Sequence, residues 1–210
     1  MAKLYYKWGV MSSNKSLQLL TVAHNYETQG KPVKVFTPSI DDRSGKGVVA
    51  SRVGLQREAI AVEPHDDLYE IIEDHFEYSD ESPIYCLLVD EAQFLTKQQV
   101  AQLARIVDDY DTPVMAFGLK TDFQNNLFEG SAALLTYADK IEEMKTICTV
   151  CNRRAILNLR INNGKPVYEG EQVQIGGDES YLPVCRHHYF NYKNPDIKAS
   201  SSDLHMEVVE

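Results

Sequence analysis

The segment at residues 8–16 combines the residue types that bind a triphosphate. It reads Trp-Gly-Val-Met-Ser-Ser-Asn-Lys-Ser, which places Gly9, Lys15 and Ser16 on three of the four fixed positions of the pattern G-x-x-x-x-G-K-[ST]. In such a loop the backbone N–H groups point at an anion where the helix dipole favours negative charge. The lysine reaches the β- and γ-phosphates, and the hydroxyl ligates Mg²⁺. The predicted phosphate loop comprises Gly9, Val10, Met11, Ser12, Ser13, Asn14, Lys15 and Ser16.

The remaining fixed position of this loop holds Asn14 instead of glycine. Glycine serves there because the turn can require a backbone conformation that other residues avoid. Asparagine is among the few residues that adopt left-handed backbone with a modest penalty. We therefore expect Asn14 to weaken the motif without abolishing it. The alternative is a Ser/Asn-capped surface helix that binds nothing.

Two acidic residues, Asp90 and Glu91, end the apolar run at 84–89. A buried parallel strand has this composition. In a protein with a phosphate loop, an acid at the end of such a strand is the Walker-B arrangement. We expect Asp90 to hold Mg²⁺, directly or through water, and Glu91 to act as an acid or base. The alternative is a strand that ends in surface acids. Cys86 lies within the apolar run and is expected to be a small buried core residue.

A second set of chemically active residues lies near the end of the chain. Cys148 and Cys151 form a C-x₂-C pair, and Cys185 begins a C-x₂-H pair after 33 intervening residues. Thiolates and imidazole at these spacings are typical of a structural zinc site. His188 is the expected fourth ligand because His187 breaks the two-residue spacing, and His187 is the alternative if the second pair is distorted. Unliganded cysteines are the alternative for the whole set.

The segment between the cysteine pairs predicts a zinc-ribbon hairpin. Strands are predicted at 155–161 and 167–175, separated by the turn signal Asn-Asn-Gly at 162–164. Residues 176–183 are then expected to form a flexible segment, tied at both ends by metal, that closes over a ligand and excludes water. Tyr181 is its one aromatic residue.

The elements that position these residues follow an alternating pattern. A short strand, the phosphate loop, a helix and another strand indicate a βαβ unit, and hence an α/β fold with a parallel sheet. Gly30 is the predicted C-cap of the first helix and Thr96 the predicted N-cap of a later one. No clear pattern covers residues 48–60. The strands are predicted at 4–6, 32–37, 84–89, 113–118 and 140–146, and the helices at 16–28, 66–76, 96–110 and 130–137.

Two polar loops follow predicted strands, where open α/β sheets place their ligands. Asp41 and Arg43 lie in the first loop and are candidate site residues, with a solvated mobile loop as the alternative. Phe123 and Phe128 lie after the strand at 113–118. They are expected either to wall a base-binding pocket or to anchor their loop to the core.

Composition restricts the function classes. The net charge of −10 argues against a broad nucleic-acid-binding or acidic-membrane surface. No apolar run approaches the roughly 20 residues of a membrane span, and the N-terminus lacks a signal-peptide pattern. A cytoplasmic location is therefore expected, where the four cysteines are thiols or metal ligands rather than disulfides.

Taken together, these segments resemble the cellular-type (type II) thymidine kinases. The Asp-Glu-Ala-Gln-Phe block and the zinc ligand pairs are individually specific, and all the matching segments occur in family order between residues 4 and 190. They are residues 9–16, 41–43, 90–94, 123–124, 148–151 and 175–190.

The resemblance implies a RecA-like P-loop domain with a parallel sheet at 1–146 and a small zinc-ribbon domain with a lasso loop at 147–190. Residues 191–210 are expected to be a disordered tail. The resemblance further implies transfer of the γ-phosphoryl group of ATP to the 5′-hydroxyl of thymidine or deoxyuridine, with Mg²⁺ and a structural Zn²⁺. Glu91 matches the family's general base, and we expect an active kinase in which any effect of Asn14 falls on ATP affinity or kcat.

The same resemblance assigns binding roles. Asp90 and Gln93 join the phosphate loop on the ATP side, with Ser16 and Asp90 on Mg²⁺. Asn158 falls where the family often places a threonine under the base. The remaining nucleoside-side residues are Met11, Asp41, Arg43, Phe94, Leu119, Phe123, Phe128, Gln174, Ile175, Gly176, Gly177 and Tyr181.

The family is usually tetrameric and often inhibited by thymidine triphosphate, so a homotetramer with that inhibitor is expected, acting in the salvage of DNA precursors. Two other hypotheses compete. One is a P-loop protein whose zinc ribbon binds nucleic acid, which the acidic charge and the lack of interleaved basic and aromatic residues on the ribbon oppose. The other is a non-catalytic nucleotide-binding module, motivated by Asn14.

Overall fold

The computed structural model of the chain describes residues 1–41, 45–78, 83–172 and 179–193. The chain divides into two units. The first comprises Met1–Trp8, Asn14–Lys120 and Leu127–Met144; the second comprises Gly9–Ser13, Thr121–Asn126 and the chain from Lys145 onward. The division predicted after residue 146 stays a prediction, and the second unit differs from it by including the two short segments.

The first unit is built on a six-stranded sheet with the order β5-β2-β6-β7-β1-β8. Every neighbouring pair in this sheet is parallel, which confirms the predicted α/β class. Strands β3 and β4 form a separate antiparallel hairpin. The strands are β1 (Leu4–Trp8), β2 (Val33–Pro38), β3 (Val48–Ala50), β4 (Gln56–Glu58), β5 (Ile60–Val62), β6 (Cys86–Val89), β7 (Val114–Gly118) and β8 (Lys140–Glu143).

Four helices of the first unit connect these strands. None of the helices in the described part of the chain is long and apolar enough to cross a membrane. The helices are α1 (Lys15–Glu27), α2 (Leu68–Tyr78), α3 (Lys97–Tyr110) and α4 (Glu129–Tyr137).

Strand β6 shows why the sheet is covered on both faces. Successive side chains of a strand point to opposite faces. Leu87 and Val89 belong to one buried cluster, which includes residues of α2, α3 and α4. Cys86 and Leu88 belong to another, which includes residues of α1. Both faces are apolar because both are buried, so the run has no alternation in its sequence.

Helix α3 begins as its sequence predicts. The Thr96 hydroxyl accepts a hydrogen bond from the backbone N–H of Gln99, and the Gln99 side-chain oxygen accepts one from the backbone N–H of Thr96. This reciprocal pair satisfies two N–H groups that the helix start would otherwise leave unpaired. The predicted inner-face residues Val100, Leu103, Ile106 and Val107 are all buried.

Residues 48–60, for which the sequence predicted no element, contain the β3–β4 hairpin and the start of β5. Each of these strands has three residues, which is too short for an alternating pattern to stand out. Ile60 is exposed at the start of β5, which is an edge strand and therefore needs little apolar surface.

The second unit contains a three-stranded antiparallel sheet with β11 in the middle. The turn predicted at 162–164 is confirmed, since Asn163 and Gly164 have φ of 49° and 72° between β11 and β12. Helix α5 includes 191–193, and the rest of the predicted tail lies outside the described residues. The elements are β9 (Thr146–Ile147), β10 (Arg154–Ala155), β11 (Leu157–Asn162), β12 (Lys165–Val167), β13 (Glu179–Val184) and α5 (Arg186–Lys193).

The strand predicted at 167–175 is wrong over its described part, residues 167–172. The flexible segment predicted at 176–183 is wrong over its described part, residues 179–183, which form a strand. Strand β12 ends at Val167, and the chain turns at Gly170, whose φ of 129° is one that side chains avoid. Strand β13 instead pairs with β11 from Glu179 to Val184. A single sequence does not reveal which of two β-rich segments continues along a central strand, because that choice is made by tertiary pairing.

Glycine at position 130 permits a close approach between α4 and the 3₁₀ turn Ala92–Phe94. A Cβ at Gly130 would lie 2.5 Å from the carbonyl oxygen of Ala92 and 2.7 Å from that of Leu95. Both are backbone atoms and cannot swing aside. We expect Gly130→Ala to lower the free energy of unfolding by about 1–3 kcal/mol, as overpacking does, although alanine ordinarily favours a helix over glycine by about 1 kcal/mol.

Urea denaturation measures this difference, and Thr136→Ala is the matched control. Thr136 lies on the exposed side of the same helix, so its replacement is expected to change stability by no more than about 0.5 kcal/mol. A Gly130→Ala variant as stable as the unmodified chain would contradict the steric argument.

Candidate functional site

The ends of three parallel strands determine where the polar residues of the first unit lie. Trp8 at the end of β1 pairs with Gly118 at the end of β7, and Val89 at the end of β6 pairs with Ala116. Parallel strands in adjacent register end at one edge of the sheet, which is where open α/β sheets bind ligands. Asp90 and Leu119 leave β6 and β7 at this edge.

Asn14 adopts the conformation for which glycine is usually required. Its φ is 60° and its ψ is 30°, immediately before α1 begins at Lys15, and its carbonyl oxygen accepts a hydrogen bond from Gln18. The asparagine therefore supplies the left-handed turn without glycine, as the sequence predicts. Lys15 is largely buried.

Asp90 carries a buried carboxylate with an incomplete hydrogen-bond shell. The residue is 4% exposed, and its Oδ1 has no hydrogen-bond partner in the described part of the chain. Burial, together with the neighbouring Glu91 carboxylate, raises the pKa of Asp90 to about 7, while a hydrogen bond with Ser16 and the charge of Lys15 act in the opposite direction. A buried carboxylate oxygen without a donor, beside a hydroxyl, fits a hard divalent cation.

Glu91 lies at the start of the 3₁₀ turn with a left-handed φ of 46°. Its Oε2 accepts a hydrogen bond of 2.5 Å from the side-chain Nε2 of Gln93. The side-chain oxygen of Gln93 accepts a hydrogen bond of 2.9 Å from the backbone N–H of Leu119. The predicted base and a predicted nucleoside-side residue are thus joined through Gln93.

Aromatic residues are present in both units. In the first, Phe94 and Phe128 contact edge to face with ring centroids 5.6 Å apart. In the second, Phe123 and Tyr181 are 6.5 Å apart. Phe123 and Phe128 are both buried, so each anchors its segment whatever else it does.

Asn158 in β11 is buried, and its Oδ1 accepts a hydrogen bond of 2.8 Å from the backbone N–H of Met11 in the phosphate loop. Two predicted site residues of the second unit therefore contact each other directly. Sequence reasoning missed Arg160, a buried cation whose guanidinium carbon lies 4.8 Å from the centroid of the Phe123 ring. An arginine in a strand gives no sequence signal of this contact.

Asp41 is half-buried after β2, and its backbone N–H donates to the carbonyl of Pro38. The other predicted nucleoside-side residues lie outside the described residues: Arg43, Gln174, Ile175, Gly176 and Gly177.

The second unit brings the predicted metal ligands together. The ligand atoms of Cys148, Cys151, Cys185 and His188 all lie within 4.8 Å of one another. His188 Nδ1 is 3.4 Å from the sulfur atoms of both Cys148 and Cys185, and the Cys151 and Cys185 sulfurs are 3.9 Å apart. A tetrahedral zinc with ordinary bond lengths separates two sulfurs by about 3.8 Å and sulfur from nitrogen by about 3.6 Å. The cluster therefore fits zinc.

His187 is not part of this cluster. It is exposed, and its Nε2 lies 2.8 Å from the side-chain nitrogen of Asn191. The geometry thus favours His188 as the fourth ligand, in agreement with the two-residue spacing.

Comparison of the sequence with known proteins shows which family the chain belongs to. A family model described as thymidine kinase matches residues 2–189. The chain belongs to the thymidine kinase family. It is 59% identical over 191 residues to the thymidine kinase of Streptococcus pyogenes serotype M3, covering 91% of this chain and 98% of that relative. The Lactobacillus acidophilus thymidine kinase is 57% identical over 194 residues, covering 91% and 98%. The Streptococcus agalactiae serotype Ia thymidine kinase is 57% identical over 197 residues, covering 94% and 100%.

Asn14 can be tested by substitution. Valine is strongly disfavoured in left-handed backbone, so we expect Asn14→Val to lower the free energy of unfolding by about 1–2 kcal/mol. Asn14→Gly is the matched variant, since glycine adopts this conformation readily, and we expect it to differ from the unmodified chain by only about 0.5 kcal/mol. Urea denaturation measures both. Equal stability of the valine and glycine variants would show that the left-handed turn is not required.

The zinc cluster is tested by its cysteines. We expect Cys148→Ser to lose most of its metal, because a hydroxyl is a poor substitute for a thiolate ligand. Cys86→Ala is the control: Cys86 is buried in β6 of the first unit, where burial raises the pKa of its thiol to about 12. Elemental analysis of purified protein measures zinc per chain. Full zinc content in Cys148→Ser would exclude Cys148 as a ligand.

Proposed function

We propose that the chain transfers the γ-phosphoryl group of ATP to the 5′-hydroxyl of thymidine or deoxyuridine. The proposal rests on an arrangement at the edge of the sheet, in a chain that belongs to the thymidine kinase family. At that edge the buried Asp90 is hydrogen-bonded to Ser16 of the phosphate loop, and the candidate base, Glu91, follows Asp90 directly. Phosphoryl transfer requires mainly positioning and charge stabilisation, and these groups supply both.

On the phosphate side, Lys15 would hold the β- and γ-phosphates at the N-terminus of α1. Ser16 and Asp90 would hold Mg²⁺, which neutralises phosphate charge when bound. The burial of Asp90 favours a bound cation, because a buried carboxylate is stabilised by an opposite charge. Asn14 supports catalytic competence because it adopts the left-handed turn.

Glu91 would accept the proton of the 5′-hydroxyl as that oxygen attacks the γ-phosphorus. A general base must be held within hydrogen-bond reach of the proton it removes. The Glu91 carboxylate accepts a hydrogen bond from the Gln93 amide, which restricts its orientation and suits that role.

The nucleoside-side assignments follow the family resemblance. Phe123 and Tyr181, which contact each other in the second unit, would contact the base, and Asn158 would hold the loop backbone at Met11. Leu119, Phe94 and Phe128 are kept as proposed nucleoside contacts on the same resemblance. We keep Asp41, Arg43 and the lasso residues at 174–177 as proposed nucleoside contacts on the family resemblance.

The zinc would be structural. Cys148, Cys151, Cys185 and His188 would supply all four ligands that a structural zinc takes, which would leave no position for a substrate or a reactive water. A homotetramer, inhibition by thymidine triphosphate, and a role in the salvage of DNA precursors are proposed on the family resemblance alone.

A coupled phosphoryl-transfer assay with ATP, Mg²⁺ and thymidine tests the proposal. Deoxycytidine and nucleoside-free reactions are the controls. Turnover that depends on thymidine is the expected result. ATP binding without turnover, in folded and zinc-loaded protein, would overturn the kinase assignment and favour a non-catalytic nucleotide-binding module.

Within that assay, Glu91→Gln is expected to lower kcat by about 10²–10⁴-fold, the usual contribution of a general base. Thymidine affinity should change little, because the substitution keeps the size of the side chain. Glu70→Gln, at an exposed site in α2, is the matched control and should keep the unmodified kcat. A kcat unchanged by Glu91→Gln would reject Glu91 as the base.

A further inference from the structure

The buried side chain of Gln93 links the candidate base to the end of strand β7. The residue is 1% exposed. Its Nε2 donates to Glu91 Oε2 over 2.5 Å, and its Oε1 accepts from the Leu119 backbone N–H over 2.9 Å. The two ends of one amide thus contact the carboxylate of Glu91 and the peptide of Leu119.

The orientation of this amide follows from its partners. A backbone N–H can only donate, so the Leu119 N–H requires the oxygen of the Gln93 amide. The amide nitrogen must then face Glu91, where it donates to a carboxylate oxygen. If the amide were flipped, its NH₂ group would face the Leu119 N–H, donor against donor, and its oxygen would face the Glu91 carboxylate, acceptor against acceptor.

The backbone of Leu119 is also held at its carbonyl group, which belongs to the next peptide unit. The Leu119 carbonyl oxygen accepts hydrogen bonds of 2.7 Å from the Tyr6 hydroxyl and 2.7 Å from the Ser131 hydroxyl. Both donors are fully buried. The residue whose N–H binds Gln93 is therefore held in place by β1 and α4.

Gly118 allows Gln93 to come this close to β7. A Cβ at Gly118 would lie 2.7 Å from Gln93 Oε1 and 3.0 Å from the Gln93 backbone nitrogen. These contacts are closer than real Cβ atoms normally make, so any other residue would displace the amide.

We propose that Gln93 is a positioning residue for Glu91 and that the backbone of Leu119 is the fixed point from which it acts. The proposal rests on the proposed function, since it assigns Gln93 a role in the same reaction. Gln93 holds the carboxylate in one orientation so that it meets the 5′-hydroxyl of a bound nucleoside. Leu119 is also a proposed nucleoside contact, so one residue would help to position both the base and part of the substrate surroundings.

Two substitutions separate positioning from folding. Gln93→Met keeps the approximate size and removes both hydrogen bonds. Gln93→Glu keeps an acceptor for the Leu119 N–H but places a carboxylate oxygen against Glu91. Both are expected to lower kcat for thymidine by about 10²-fold, since small misplacement of a reacting group has effects of this size. The KM for thymidine is expected to change by less than about threefold, because ground-state binding is retained.

A double-mutant cycle with Glu91→Gln gives the deciding measurement. If Gln93 acts through Glu91, adding Gln93→Met to Glu91→Gln lowers kcat by less than about threefold further, because residues that act as a unit are not additive. A merely structural role would lower kcat by the same factor in both backgrounds. Gln93→Glu is measured in the same cycle, so the result stands even if Gln93→Met does not fold.

Gln99→Met is the matched control. Gln99 is another buried glutamine, and its amide donates to the backbone carbonyls of Glu63 and Asp66 at the start of α3. Gln99→Met is expected to leave kcat nearly unchanged, both in the unmodified chain and in the Glu91→Gln variant.

The outcomes are distinguishable. Additive losses for the Gln93 variants, or a full kcat in Gln93→Glu, would overturn the positioning role while leaving the kinase assignment intact. Absence of thymidine phosphorylation by the unmodified chain would overturn the proposed function and the positioning role with it. Non-additive losses confined to Gln93 would support both.

Discussion

The parallel register of β6, β7 and β1 is the constraint on which the rest of the first unit depends. Backbone hydrogen bonds align Trp8 with Gly118 and Val89 with Ala116, so the polar residues that follow these strands leave one edge together. A shift of one residue in this register would reverse the face to which each side chain points. Because α1 covers one face and α2, α3 and α4 the other, such a shift would bury polar groups and is strongly disfavoured.

Close packing around the 3₁₀ turn then restricts where the side chains that follow β6 can lie. The 3₁₀ turn at Ala92–Phe94 lies against two glycines, with Gly118 beside its nitrogens and Gly130 beside its carbonyls. At both glycines, a Cβ atom would lie within about 3 Å of backbone atoms of the turn, so only glycine fits without displacing them. The turn can therefore adopt few positions, and the left-handed Glu91 that begins it is held accordingly. Two glycines of the packed core thus limit where the side chain of the proposed base can lie.

The predictability of these features from sequence depends on whether their cause is local. The left-handed Asn14, the Thr96 cap, the buried β6 run and the Cys/His spacings follow from neighbouring residues, and the structure reproduces each of them. The pairing of β13 with β11 and the contact of Arg160 with Phe123 depend on residues distant in the chain.

Gln93 shows the same limit within the candidate site. Its place in the Asp-Glu-Ala-Gln-Phe block suggested a phosphate contact, which stays a prediction. Its hydrogen bond to Leu119 joins residues 26 positions apart and could be found only in the folded structure. Local patterns thus supplied the candidate site residues, whereas the contacts among them could be found only from tertiary packing.

The chain contains a single tryptophan, and it is the residue that directly precedes the phosphate loop. The ammonium group of Lys120, just beyond the end of β7, lies 4.2 Å from the centroid of the Trp8 ring. Indole emission responds to a nearby charge, so a shift of Lys120 toward an anionic ligand would change the fluorescence of this one residue. Trp8 is thus an intrinsic fluorescent probe at the edge of the sheet where we propose that ATP binds, and the sequence has no second tryptophan to obscure its signal.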